Sequence, residues 1–154
     1  VIGSAVPGDI KRLYLTKGGP SLFLQSSSFL ASSSGIETTT KFQGFIKGFF
    51  SGAGFFLIKC SGEGDIFFNS YGGIIEVQID DEFTIDNNHI VAFTEGLEYS
   101  VHKFGGYKSF FFSGEGLITR FRGQGRVWIQ TRAMPSLIAW LNPFRQVVTK
   151  TKRN

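Results

Sequence analysis

The chain has 154 residues, a formal net charge of +4, 42% hydrophobic residues and 18% charged ones. This excludes a wholly disordered chain, and the length suffices to bury a core without metal or disulfide staples. A single cysteine, Cys60, excludes an intramolecular disulfide framework and any multi-cysteine zinc site, and fits a reducing compartment.

Glycine is abundant, at 20 residues, and Phe supplies 18 of the aromatic side chains. Many Gly and Phe with few Pro indicate short strands joined by tight turns. The chain opens at Val1 rather than Met, so the N-terminal part of the natural protein is expected to precede it. Taken in order, Gly18-Gly19-Pro20 is a turn signal, and residues 41–54 (KFQGFIKGFFSGAG) are rich in Phe and Gly without clean alternation. The apolar-rich run Phe55 to Cys60 reads as a buried strand, closed by the Gly62-Glu63-Gly64 turn. After Gly72-Gly73, Ile75, Val77 and Ile79 alternate with polar residues. Asp86-Asn87-Asn88 marks the next turn, and residues 103–116 (KFGGYKSFFFSGEG) form a second Phe- and Gly-rich segment. Leu117, Thr119 and Phe121 alternate again, as do Val127, Ile129 and Thr131 beyond the Gly123-Gln124-Gly125 turn. One helix is expected at about 135–142, with Pro135 in its first turn, Pro143 closing it, and Leu137, Ile138, Trp140 and Leu141 on an apolar face.

The two Phe-rich segments align without gaps at an offset of 62, matching Lys41, Phe42, Gly44, Phe49 and Phe50 with Lys103, Phe104, Gly106, Phe111 and Phe112. Flanking matches fall at 61: Phe29-Leu30-Ala31 with Ile90-Val91-Ala92, and Gly62-Glu63-Gly64 with Gly123-Gln124-Gly125. A period of this length signals duplicated structural units. The reading is all-β: a tandem-repeat antiparallel sandwich of units 1–71 and 72–134, a short helix at 135–144 and a basic tail at 145–154.

That tail holds Arg145, Lys150, Lys152 and Arg153 and no acid, so the remaining chain, with 12 basic and 12 acidic side chains, is neutral. Neutrality argues against nucleic acid as a partner, although Arg120, Arg122, Arg126 and Arg132 with Trp128 could come together on adjacent strands as a base-stacking reader would need. No apolar run exceeds five residues outside the Phe-rich segments, far short of the ~20 a spanning helix requires.

Catalytic and metal chemistry find no pattern. His89 and His102 are the only histidines and form no His-x-His pair, so they read as hydrogen-bonded or surface residues. The serines at 26–28 and 32–34 lack a nucleophile elbow, Cys60 reads as core, and Asp80-Asp81-Glu82 lacks calcium-loop spacing. The G-x-G triplets at 52, 62, 114 and 123 read as hairpin turns. The expectation is no catalytic residue, no metal, no cofactor and no enzyme activity.

Several blocks in order carry a family resemblance: Pro7 to Ile10, Phe29 to Ser32, Lys41 to Phe50, Ser70 to Gly72 and Arg126 to Arg132. Together they resemble the altered-inheritance-of-mitochondria (mitochondrial biogenesis) family, whose bacterial-type members have no assigned function. The resemblance implies a sandwich of double-stranded β-helix type, similar to the tryptophan RNA-binding attenuation protein, and carries no catalytic residues.

The expected role is an oligomeric scaffold or interaction module, with a binder of small apolar ligands or lipid at a repeat or subunit interface as the alternative. The residues expected at a homo-oligomer interface, or at a peripheral membrane contact, are Phe49, Phe50, Phe110, Phe111 and Phe112 with Lys47 and Lys108. The expected location is cytoplasmic, with membrane-peripheral as the variant.

Overall fold

The computed structural model describes residues 2–42, 56–103 and 117–145, without the side chains of residues 41, 42 and 103. Twelve strands lie among them: β1 Ile10–Leu15, β2 Leu22–Gln25, β3 Phe29–Ser32, β4 Ile36–Phe42, β5 Phe56–Gly62, β6 Gly64–Asn69, β7 Ile74–Ile79, β8 Glu82–Asp86, β9 Ile90–Thr94, β10 Glu98–Lys103, β11 Leu117–Arg122 and β12 Gly125–Gln130. One α-helix follows, α1 at Met134–Leu141, and short 3-10 turns occupy Asn87–His89 and Asn142–Phe144. The chain is therefore all-β with one short C-terminal helix.

Every strand pair is antiparallel, in three sheets ordered β1-β6-β3, β10-β11-β8 and β4-β5-β2-β9-β12-β7. Alternation along the six-stranded sheet feeds two separate cores. Leu22, Leu24, Cys60 and Trp128 point into one, with Leu15, Ile66 and Phe68 from the β1-β6-β3 sheet. Leu57, Phe93 and Val127 point into the other, with Phe121 from the β10-β11-β8 sheet. The six-stranded sheet is thus sandwiched on both faces.

A buried strand between two cores requires apolar residues in sequence, and β9 (IVAFT) supplies them, with all five residues buried. Its register with β12 shifts between Trp128, opposite Ala92, and Ile129, opposite Ile90. The extra residue is Val91. This bulge lets neighbours Val91 and Ala92 both enter the first core, while Ile90 and Phe93 enter the second.

The two cores use residues at one spacing. Leu22 and Phe83, Leu24 and Ile85, Ile36 and Leu97, Cys60 and Phe121, and Ile66 and Val127 are each 61 positions apart, the first member in one core and the second in the other. The strand orders follow the same rule. Raising each strand number by six turns β4-β5-β2 into β10-β11-β8, and β1-β6-β3 into β7-β12-β9.

Helix α1 begins one residue before its expected start and runs into the 3-10 turn containing Pro143, whose missing N–H prevents another α-helical bond. Its apolar side chains do not dock on the sheets. No residue of α1 is buried, and only Leu137 is half-buried.

Candidate functional site

Two carboxylates organise the polar surface. Glu76 on β7 accepts from the Trp128 indole at 2.9 Å and the Lys11 ammonium at 2.8 Å through Oε2, and from Arg126 at 3.3 Å through Oε1. Lys11 lies on the inward-facing stripe of β1 with Leu13 and Leu15, so its stem crosses the edge of the core to reach Glu76. Hydrogen bonding from Lys11, reinforced by Trp128 and Arg126, holds the Glu76 carboxyl below its ordinary pKa despite partial desolvation. Glu95 takes Lys59 Nζ at 2.6 Å on one oxygen and the Ser21 hydroxyl and amide at 2.7 and 3.1 Å on the other. Those bonds, the Lys59 one foremost, bring its pKa down to about 2. Every carboxylate oxygen of both groups is thus engaged by a donor, and each carboxylate clasps neighbouring strands or turns.

A third cluster leaves groups free. An open groove of about 450 Å³ lies between the end of β12 and helix α1, lined by Tyr71, His89, Arg132, Ser136, Leu137 and Trp140 among others. Gln130 holds its floor: its side chain accepts from the Tyr71 amide at 2.8 Å and donates to the Asn88 carbonyl at 2.8 Å. The Gln130 carbonyl lies 2.7 Å from His89 Nδ1. A carbonyl only accepts, so Nδ1 carries the proton and Nε2 is the ring's remaining polar atom. Arg132 lies over the Tyr71 ring, 5.8 Å from its centroid, and its amide donates to the Tyr71 carbonyl at 3.2 Å.

The groove wall is where separated sequence blocks meet. The amides of Asp9 and Gly72 bond the Gly72 and Pro7 carbonyls at 3.0 Å each, and the Thr131 amide bonds the Gly73 carbonyl at 3.0 Å. Gly8 bridges Gly72 directly, and a Cβ on Gly8 would overlap the Ser70 carbonyl oxygen. Pro7 to Ile10, Ser70 to Gly72 and Gln130 to Arg132 are thus one structural knot. Their presence among the resemblance blocks was the available signal for this region; residue-type motifs alone did not point to it.

His102 lies on β10, where its Nε2 is 2.8 Å from the Ser100 hydroxyl, and its ring shares no hydrogen bond with His89. Cys60 is fully buried, and desolvation pushes its thiol up to about 11. The base-reading arrangement does not form. Trp128 has no exposed surface for stacking, β11 and β12 lie in different sheets, Arg120 and Arg122 pair with Glu82, and Arg126 pairs with Glu76. Sequence adjacency suggested neighbouring strands, whereas the turn at Gly123 sends the chain from one sheet into another. Glu82 of the acidic cluster serves those two arginines, and among the described residues no group of three or more His, Cys, Asp or Glu is placed to hold a metal. Phe49, Phe50, Phe110, Phe111, Phe112, Lys47 and Lys108 lie outside the described residues. Among the described residues no helix is long and apolar enough to cross a membrane.

The family model described as Mitochondrial biogenesis AIM24 matches residues 1–132. The chain belongs to this family. The AIM24 match includes all twelve strands and the groove's Tyr71, His89, Thr131 and Arg132, and stops just before α1. An uncharacterised protein of Streptococcus pyogenes serotype M6 is 35% identical over 127 residues, covering 81% of this chain and 50% of that protein. The AIM24 chain therefore spans about half the length of that relative. A crystal structure of a Streptococcus pyogenes protein superposes with a TM-score of 0.80 at 29% identity, covering 92% of this chain and 62% of that one.

Proposed function

We propose that this AIM24 chain is a non-enzymatic β scaffold built from two copies of one unit, 1–71 and 72–134, and that it associates with a second copy of itself. Core residues 61 apart and strand orders shifted by six support the duplication. The observation that carries self-association is the open apolar C-terminal segment: Ile138 and Trp140 of α1 are 59% and 65% exposed, and Phe144 of the following 3-10 turn is 73% exposed. Side chains of this size in water favour burial against a partner, and homo-oligomers commonly supply it from the same patch on another copy. The aromatic segments with Phe49, Phe50 and Phe110 to Phe112 add to that interface in this reading.

Light scattering on the wild type and on the triple variant Ile138→Ser, Leu141→Ser, Phe144→Ser tests it. The wild type should give an oligomer mass and the variant a smaller one at unchanged strand content, because these side chains are exposed in the single chain. A monomeric wild type that sediments with anionic vesicles would reject self-association in favour of peripheral membrane contact.

A second reading, a binder of small apolar ligands, is favoured by the groove between β12 and α1, where Tyr71 closes the first unit and Arg132 lies near the end of the second.

A further inference from the structure

The geometry points to the groove between β12 and α1 as a binding site for a small aromatic carboxylate, with Arg132 holding the carboxylate and Tyr71, Leu137 and Trp140 holding the ring. This rests on the ligand-binding reading above and names the ligand's chemistry.

The charge argument comes from what the other cations do. Lys11 and Arg126 pair with Glu76, Arg12 with Asp65, Lys59 with Glu95, and Arg120 and Arg122 with Glu82. Arg132, like Lys17 and Arg145, has no carboxylate partner among the described residues; of these three it alone lines the groove, whose lining holds no acidic residue. Its contact is instead the face of Tyr71, which orients a guanidinium without using its hydrogen-bonding fork. A planar fork of N–H donors matches a carboxylate in bidentate fashion.

The rest of the lining describes the ligand's body. Trp140 and Leu137 supply apolar lining alongside Tyr71 in this open groove of about 450 Å³. The Ser136 hydroxyl and His89 Nε2 are the further polar groups on offer, since His89 Nδ1 is committed to the Gln130 carbonyl. Two of the lining residues, Tyr71 and His89, are held before any ligand arrives, because Gln130 ties them to each other and to Asn88. Such preorganisation reduces the ordering cost of binding.

The test is calorimetric titration of the full chain with 1-naphthoate and with neutral 1-naphthylmethanol, alongside Trp fluorescence. Trp128 is fully buried whereas Trp140 lines the groove, so a ligand-induced change in Trp emission reports Trp140. Naphthoate should bind saturably and at least about tenfold more tightly than the alcohol, the scale of a charge-assisted hydrogen bond. Arg132→Gln should remove that preference at unchanged far-UV circular dichroism, and Arg132→Lys, which keeps charge but lacks the fork, should retain only part of it. Equal binding of both probes by the wild type overturns the carboxylate assignment and leaves the apolar-ligand reading standing. Binding of neither probe overturns both. A preference that survives in Arg132→Gln overturns the role of Arg132.

Discussion

The Trp128 indole, with no solvent exposure, donates its N–H to Glu76 at 2.9 Å, so a carboxylate at the core's edge satisfies its largest buried aromatic ring. Removing that acceptor leaves a buried donor unpaired, which costs about 1–3 kcal/mol. Glu76→Ala should therefore lower the urea midpoint clearly, whereas Glu76→Gln, which keeps an acceptor for the indole while losing the attraction to Lys11 and Arg126, should lower it less. Equal losses in the two variants would assign the effect to charge rather than to the indole bond.

Acid should weaken the fold through Glu95. Its pKa is lowered from the ordinary 4.5 to about 2, chiefly by the Lys59 bond. A group with a depressed folded-state pKa contributes stability above its unfolded value and loses it as pH falls through the folded one. The wild type should accordingly lose more stability than Glu95→Gln between about pH 4.5 and about pH 2, the two ends of that shift. Denaturant midpoints across this window, with carbon-detected NMR titration of the carboxyl, provide the check.

Cys60 should behave as core. Full burial and a thiol pushed up to about 11 leave almost no accessible thiolate at neutral pH. Ellman's reagent should label the native protein only at the rate of unfolding, and quickly in denaturant. Prompt labelling of the native state would show that the first core opens locally.

The turns at Gly62 and Gly123, 61 residues apart, share a positive φ, 113° and 107°, but not a steric environment. A Cβ at Gly62 would overlap the Gly35 carbonyl oxygen, while one at Gly123 would meet the Gly96 carbonyl at an ordinary 3.5 Å. Gly123→Ala should cost mainly backbone strain, on the order of 1–3 kcal/mol. Gly62→Ala should cost more, since strand backbone must also move. Thermal denaturation of both variants ranks them.

Much of the strand framework was legible. Alternation at Ile75, Val77 and Ile79 corresponds to β7, that at Leu117, Thr119 and Phe121 to β11, and each of the Gly62 and Gly123 turns joins two strands. These are local signals, carried by side-chain period and by backbone angles that only glycine readily adopts. The groove was less legible because its chemistry is not local: Tyr71, His89 and Arg132 are ordinary residues in sequence until Gln130 ties Tyr71 to His89 and Arg132 settles over Tyr71.

By itself the sequence determined an all-β chain, a 61-residue period, a lone core cysteine and a basic tail on a neutral body, because composition and spacing report directly on burial and turns. Only the tertiary structure decided that consecutive β11 and β12 belong to different sheets, that Arg126 pairs and Arg132 does not, and that α1 leaves its apolar side chains in solvent. Period-two alternation specifies which residues share a face, but not which sheet that face will meet. Pairing of charges 50 residues apart, as for Arg126 and Glu76, follows from strand register, and register is set by the packing of both cores together.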